Sequence, residues 1–180
     1  MNITILCTSE NHPVNKMLND WVQRNSTRHT IQLVRRKSEL SEGDLLFLIS
    51  CSEIITASER SRFKKTLVIH ASDLPRGRGW SPHIWEIIGG ATNITVSLLE
   101  AEDRIDSGDI WNKCHVHIPS HSLYDEINEL LFTAESELMD YAVTNFHVIQ
   151  PQKQSASIEE TYHPRRNAED SEVDPHLSIA

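Results

Sequence analysis

The stretch that decides the fold of this chain covers residues 66–111 and reads TLVIHASDLPRGRGWSPHIWEIIGGATNITVSLLEAEDRIDSGDIW. It contains an apolar run that ends at His70, a loop rich in glycine and arginine, and a predicted helix that begins at Pro82. A second apolar run and an acidic turn with Asp106 follow. Open α/β sheets place their ligand sites on the loops that follow the strands. We therefore predict that His70 and Asp106 lie on loops at the same edge of a parallel sheet.

The chain before this stretch follows the same strand and helix alternation. Ile3, Ile5 and Cys7 alternate with smaller or polar neighbours, which is typical of a strand. Over residues 13–25 apolar residues recur at spacings of three and four, which predicts an amphipathic helix. Residues 45–49 are apolar at every position, as in a strand that is covered on both faces. We predict an α/β fold with a doubly wound, mostly parallel sheet that is flanked by helices.

The later elements are predicted from the same signals. A polar helix or turn over residues 58–65 precedes a buried strand at 67–69, and Ser81 is expected to cap the helix that begins at Pro82. Ser122 is expected to open the longest helix, which carries a continuous apolar stripe to about Phe146. Two further strands are predicted between these helices.

The composition changes after residue 150, where the periodicity ends. We predict a catalytic domain over residues 1–150 and a C-terminal extension over residues 151–180. The extension is expected either to wrap on the core or to be truncated.

Composition narrows the classes of function. The net charge of -9 and the pI near 5.5 disfavour a nucleic-acid partner, which usually requires clustered cations. The basic clusters at 35–37, 60–65 and 76–78 are either solvated surfaces or local anion sites. Three single cysteines and no leader pattern favour a cytoplasmic protein, and no apolar run approaches the roughly 20 residues that a membrane span needs. A homodimer is compatible with the sequence.

Two motifs give the chain a family resemblance. Residues 70–79, HASDLPRGRG, are followed 36 positions after His70 by Asp106 in IDSGDI (105–110). This pair of motifs, with a helix and a strand between them, resembles the folate-dependent formyltransferase family, which includes enzymes that act on methionyl-tRNA, glycinamide ribonucleotide and amino sugars. The segments GWSPHIW (79–85) and YHPRR (162–166) are most similar to the sugar N-formyltransferases and their unassigned bacterial relatives.

The resemblance implies a reaction and two catalytic residues. It implies transfer of a formyl group from 10-formyltetrahydrofolate, without a metal, to the amine of an amino sugar, which is expected to be linked to a nucleotide. His70 is expected to act as acid, base and oxyanion donor, and Asp106 to orient its ring. A carboxylate beside an imidazole suits these roles because it fixes which nitrogen carries the proton.

The same resemblance implies two binding regions. The pterin ring of the folate would lie against Ser52, Glu53, Ile54 and Ile55 and against the acidic loop at Glu102 and Asp103. The candidates for the acceptor side are the cations Arg76 and Arg78 and the aromatic residues Trp80 and Trp85. His115 and His117 share one face of a predicted strand, where exposed histidines are a simpler interpretation than metal ligands.

One position departs from the family pattern. The family places an asparagine two residues before the histidine to hold the formyl oxygen, and Val68 stands there in this chain. The accessory candidates are Thr66, on the same strand, and Ser72, in the following loop. A missing oxyanion donor costs on the order of 3 kcal/mol of transition-state stabilisation unless another group replaces it. The alternative interpretation is therefore a catalytically impaired module that binds folate or a sugar nucleotide, and a tRNA-directed enzyme is a third option.

Overall fold

The computed structural model describes residues 1–172 and residue 176. Its main element is a six-stranded sheet with the strand order β2-β1-β3-β4-β6-β7. The strands are β1 (Asn2–Leu6), β2 (Thr30–Val34), β3 (Gly43–Leu48), β4 (Phe63–His70), β6 (Asn93–Glu100) and β7 (Ile110–His117). A second, two-stranded sheet pairs β5 (Arg78–Gly79) in parallel with β8 (Tyr162–His163).

The described residues form four α-helices in addition to the sheets. They are α1 (Val14–Asn25), α2 (Ala57–Arg60), α3 (Pro82–Ile88) and α4 (Tyr124–Asn145). The apolar side of α1 is buried at Val14, Leu18 and Trp21, and the indole nitrogen of Trp21 donates to Asp140 of α4 at 2.7 Å. Within the described residues, no helix combines the length and apolarity required to cross a bilayer.

The sheet confirms the predicted architecture, because the strands from β2 through β1 and β3 to β4 are all parallel. The core lies on both of its sides. A large cluster that includes Ile5, Phe47 and Leu98 packs under α1 and α4 on one face. A smaller cluster that includes Leu46 and Ile55 lies on the other face. The side chains of β3 are buried from Leu45 to Leu48, as its unbroken apolar run predicts.

Several predicted boundaries need correction. The strand β4 begins at Phe63 rather than Leu67, because Phe63 enters the smaller core cluster while the adjacent Lys64 pairs with Asp44 at 2.6 Å. The longest helix begins at Tyr124, two residues after Ser122. Ser81 does precede α3, but it adopts a positive φ of 45° and its side chain forms no capping hydrogen bond.

The direction of β6 is the main difference from the predicted parallel sheet. It runs antiparallel to β4, with His70 opposite Ser97 and Leu67 opposite Glu100. The loop after β6 therefore leaves from beside the middle of β4, and it must fold back to reach the end of that strand.

Candidate active site

His70 occupies the last position of β4 and is only 8% exposed. Its Nε2 atom lies 2.7 Å from the carbonyl oxygen of Gly77, and its Nδ1 atom lies 3.6 Å from Oδ1 of Asp106. A carbonyl oxygen can only accept a hydrogen bond, so Nε2 carries a proton. The second ring nitrogen, Nδ1, consequently faces the carboxylate of Asp106.

The loop after β4 brings its backbone onto the histidine ring. Gly77 has a φ of +72°, and a Cβ atom at this position would lie 2.8 Å from the Cβ of Ser72. Only glycine combines that backbone conformation with such a close approach. Glycine at position 77 therefore permits the contact between His70 and the Gly77 carbonyl.

Asp106 is held on a turn that the sequence motif partly explains. Its φ is +54°, in the left-handed region that aspartate tolerates better than most residues. Its Oδ2 atom accepts from the backbone N–H of Gly79 at 2.9 Å, while Oδ1 faces His70. At Gly108 a Cβ atom would lie 1.8 Å from the carbonyl oxygen of Glu100, so this loop can fold back only with glycine there.

The C-terminal extension contacts both loops, and sequence analysis missed its contribution. The Gln154 side chain donates to the carbonyl oxygens of Asp106 at 2.8 Å and Gly108 at 2.9 Å. The Thr161 hydroxyl accepts from the N–H of Gly77 at 2.8 Å. The pairing of β5 with β8 places this segment against the loop that follows His70. Polar residues without periodicity gave no signal for these contacts.

Arg78 is buried between these segments, at 4% exposed. Its Nη1 atom pairs with Glu160, and its Nη2 atom donates to Oε1 of Gln154 at 2.7 Å. Glu160 also pairs with Arg104 of the acidic loop. The charge of Arg78 is thus matched within the protein, and Glu160 joins both loops to the extension.

The accessory candidates Thr66 and Ser72 are both buried, at 7% and 0% exposed. The hydroxyl oxygens of both residues lack a hydrogen-bond partner within the described part of the chain. The carbonyl oxygen of Ser72 accepts from the Ser97 hydroxyl at 2.7 Å. The Ser72 hydroxyl itself is an unused donor in the loop after His70. Val68 packs partly buried against the smaller core cluster.

The residues expected to hold the folate form two segments that approach each other. The backbone N–H of Ser52 donates to the Thr8 hydroxyl at 2.9 Å, and the Glu53 carboxylate accepts from the N–H of Lys37 at 2.8 Å. Ile55 is buried, whereas Ile54 is 71% exposed. Glu102 and Asp103 are exposed on the acidic loop.

Arg60 joins the two expected folate segments. Its guanidinium donates to the carbonyl oxygen of Ile55 and to the carboxylate of Asp103, at 2.6 Å in each case. The segment after β3 and the acidic loop are therefore neighbours, as the expected pterin site requires.

A cavity of about 530 Å³ opens at the carboxyl ends of the first three parallel strands. Its lining includes Ser9, Asn11, Arg35, Arg36 and Ser52. Arg35 donates to the carbonyl oxygen of Cys7 at 3.1 Å and to the Asn15 side chain at 2.6 Å, which fixes its guanidinium beside the cavity. The sequence left this basic cluster open as either a solvated surface or a local anion site, with no ligand assigned to it.

The candidates for the acceptor side differ in their surroundings. Arg76 is exposed, and Trp80 is 44% exposed with the guanidinium of Arg165 at 5.0 Å from its ring centroid. Trp85 is partly buried, its ring lies 4.8 Å from the guanidinium of Arg166, and its indole nitrogen donates to Pro164 at 3.2 Å. Both aromatic rings therefore contact the extension.

A second histidine lies near His70 and had no role in the sequence analysis. Burial, together with the proximity of His70 and His12, lowers the pKa of His83 to about 4. Its Nδ1 atom is buried and has no partner in the part of the chain that is described. His83 is consequently neutral at pH 7. In the described residues, no group of three or more His, Cys, Asp or Glu side chains is arranged to hold a metal ion.

The family model described as formyl transferase matches residues 2–143, which include the whole six-stranded sheet, His70 and Asp106. The chain belongs to the formyl transferase family.

Curated relatives from two bacteria are both methionyl-tRNA formyltransferases. The Protochlamydia amoebophila protein is 29% identical over 135 residues, which is 74% of this chain and 42% of that relative. The Clostridium perfringens protein is 32% identical over 142 residues, which is 76% of this chain and 45% of that relative. The chain thus spans less than half the length of these relatives.

Solved structures share the fold. The methionyl-tRNA formyltransferase from Clostridium thermocellum superposes with a TM-score of 0.79 at 25% identity, covering 99% of this chain and 78% of that one. HypX from Aquifex aeolicus, determined with tetrahydrofolic acid, gives a TM-score of 0.78 at 24% identity, over 98% of this chain and 32% of HypX. The formyltransferase PseJ from Anoxybacillus kamchatkensis, in complex with UDP-4,6-dideoxy-4-formamido-L-AltNAc and tetrahydrofolate, gives 0.73 at 18% identity, over 95% of this chain and 89% of PseJ.

Proposed function

We propose that this protein transfers a formyl group from 10-formyltetrahydrofolate to the amine of an amino sugar that is linked to a nucleotide. The observation that carries the proposal is the pairing of His70 with Asp106, in a chain of the formyl transferase family, at 3.6 Å between Nδ1 and Oδ1. An imidazole that can exchange a proton beside a carboxylate is what an acyl transfer between two nitrogens needs.

His70 and Asp106 would handle the proton of this reaction. The attacking amine loses a proton as its nitrogen bonds to the formyl carbon, and the folate nitrogen gains one as its bond to that carbon breaks. Nδ1 of His70 is the ring nitrogen free to carry this proton, because Nε2 is bound to the Gly77 carbonyl. Asp106 stabilises the protonated ring and keeps it oriented.

The folate donor fits the two segments that Arg60 joins. The pterin would lie against the backbone of residues 52–55 and against the loop at Glu102 and Asp103. The exposed Ile54 side chain offers an apolar surface beside backbone groups that can form hydrogen bonds, which suits a flat heterocycle with polar edges. When bound, the donor supplies the activated formyl group.

The acceptor side carries cations and aromatic rings. Arg35 and Arg36 line the cavity at the ends of β1 to β3 and would attract a diphosphate. Trp80 and Arg76, which are exposed, offer a stacking surface and a further charge near the loop after His70. The UDP-sugar in the PseJ complex supports this acceptor class, since PseJ shares the fold.

The test is a turnover assay with 10-formyltetrahydrofolate and a panel of nucleotide-linked amino sugars, with methionyl-tRNA as a further acceptor. Tetrahydrofolate should be released with at least one sugar nucleotide. His70→Asn should lower kcat by about 10²- to 10⁴-fold and leave folate binding unchanged. The matched control is His121→Asn, since His121 is exposed and lies outside the site.

The other outcomes separate the parts of the proposal. Turnover with methionyl-tRNA alone would overturn the sugar acceptor but keep formyl transfer. Folate binding without turnover on any acceptor, unchanged by His70→Asn, would favour the impaired module that Val68 suggests. Absence of both binding and turnover would reject the proposed function.

A further inference from the structure

The side chain of Gln154 contacts the turn that carries Asp106. Its amide nitrogen donates to the carbonyl oxygens of Asp106 and Gly108, at 2.8 and 2.9 Å, and its amide oxygen accepts from Arg78 at 2.7 Å. These contacts require two donors and one acceptor on one short side chain. Glutamine supplies this combination, and glutamate does not.

The Asp106 turn is a conformation that needs such support. Asp106 has a φ of +54°, and the two carbonyl oxygens that Gln154 holds would otherwise lie close together without a shared donor. The carboxylate of Asp106 reaches both Gly79 and His70 only while this turn is kept. A rotation of the turn would therefore move Oδ1 away from Nδ1 of His70.

We propose that Gln154 is a positioning residue that fixes the Asp106 turn and thereby sets the geometry of the His70–Asp106 pair. The inference rests on the proposed function, because it assigns Gln154 a part in the same reaction. Gln154 lies outside residues 2–143, which the family model matches, so this contribution comes from the C-terminal extension.

The backbone near Gln154 is anchored without its side chain. Ile110 and Gln152 exchange two backbone hydrogen bonds, at 2.7 and 2.8 Å, beside the Gly108 turn. A substitution of the Gln154 side chain should therefore leave this segment in place. The chain also offers a matched control in Gln152, which is exposed and has no side-chain hydrogen bond to the described residues.

The decisive variant is Gln154→Glu, with Gln152→Glu as its control. Gln154→Glu keeps an acceptor for Arg78 but places a carboxylate oxygen against two carbonyl oxygens. We expect kcat to fall by about 10- to 100-fold, since small misplacements of catalytic groups have effects of this size. The KM values for both substrates should stay within about twofold, and Gln152→Glu should match the wild type.

A second readout does not depend on turnover. The ¹⁵N resonances of the His70 ring, assigned by their loss in His70→Asn, report the contact of Nδ1 with Asp106. Gln154→Glu should shift the Nδ1 resonance in the same direction as Asp106→Asn, whereas Gln152→Glu should leave it unchanged. In the turnover assay, Gln154→Glu should add little to the loss that Asp106→Asn already causes.

The results that would overturn the proposal are specific. Wild-type kcat and unchanged His70 resonances in Gln154→Glu would mean that the turn holds without this amide. A loss that adds in full to that of Asp106→Asn would mean that Gln154 acts elsewhere. If the wild-type protein transfers no formyl group, the proposed function fails, while the ring resonances still decide whether Gln154 positions Asp106.

Discussion

Removal of Glu160 should destabilise the protein, because it leaves the buried guanidinium of Arg78 without its counter-charge. The Arg78 side chain is 5% exposed and that of Glu160 is 41% exposed. Loss of one partner of a fully buried ion pair costs about 3–5 kcal/mol. Because the carboxylate is partly hydrated and Gln154 still binds Arg78, we reduce this figure by about half and expect Glu160→Ala to lower the free energy of unfolding by roughly 2 kcal/mol.

The second partner of Glu160 contributes little to this figure. The side chain of Arg104 is 59% exposed, and ion pairs between exposed groups are worth about 0–1 kcal/mol. Arg104→Ala should therefore change the free energy of unfolding by less than about 1 kcal/mol. The contrast between Glu160→Ala and Arg104→Ala separates the buried pair from the exposed one.

The assay is urea unfolding, supported by thermal unfolding. For a domain of this size, about 2 kcal/mol corresponds to a decrease in Tm of roughly 4–8 °C. The matched control is Glu159→Ala, since Glu159 is the exposed neighbour of Glu160. Arg78→Met combined with Glu160→Ala should cost less than the sum of the two single changes. If Glu160→Ala stays within about 0.5 kcal/mol of Glu159→Ala, water rather than Glu160 compensates Arg78, and the reasoning is refuted.

Two further changes test the oxyanion donor and the partly buried carboxyl of Glu135 on α4. Val68→Asn should raise kcat by about 10²- to 10³-fold in the formyl-transfer assay, because it adds an amide donor for the oxyanion. Val68→Thr should not raise kcat. An unchanged kcat in Val68→Asn would mean that another group donates to the oxyanion. Burial raises the pKa of Glu135 to about 8 from 4.5. Between these two pH values the folded protein keeps a proton that the unfolded protein releases, so the free energy of unfolding should fall as the pH rises through this range. Urea unfolding between about pH 5 and about pH 9 should show no such decline in Glu135→Gln, whereas the exposed control Glu137→Gln should retain it. If the free energy of unfolding depends on pH equally in both variants, the raised pKa of Glu135 is contradicted.

The sheet and its parallel half were predictable because their signals are local. The unbroken apolar run of β3 and the periodic apolar positions of α1 each record burial in the residues themselves. The direction of β6 was not predictable in this way, because a strand of the same sequence pattern can pair with β4 in either direction. The start of β4 was also missed, because Lys64 and Lys65, which directly follow the buried Phe63, looked like part of a polar turn.

The residues of the candidate site also differ in whether a local sequence signal predicts them. His70, Asp106 and the glycines of their loops stand out in the sequence, because a motif is a short pattern of residue types. Arg78 looked equally suited to bind a ligand, since no local signal reveals that Glu160, 82 positions later, pairs with it. The contacts of Gln154 and Thr161 join residues that are 46 to 84 positions apart, and no sequence pattern in the extension predicts them.

The sequence by itself determined the fold class, the family and the two residues at the centre of the candidate site. Periodic burial and short motifs depend only on residues that are close together in the sequence. Only the tertiary structure decided how those two residues meet. The antiparallel β6 starts its loop beside the middle of β4, away from His70. Gly108 lets that loop fold back against Glu100, and the extension contacts both loops through Gln154 and Glu160. Each of these contacts depends on the distance between remote parts of the chain, which is set by packing rather than by local preference.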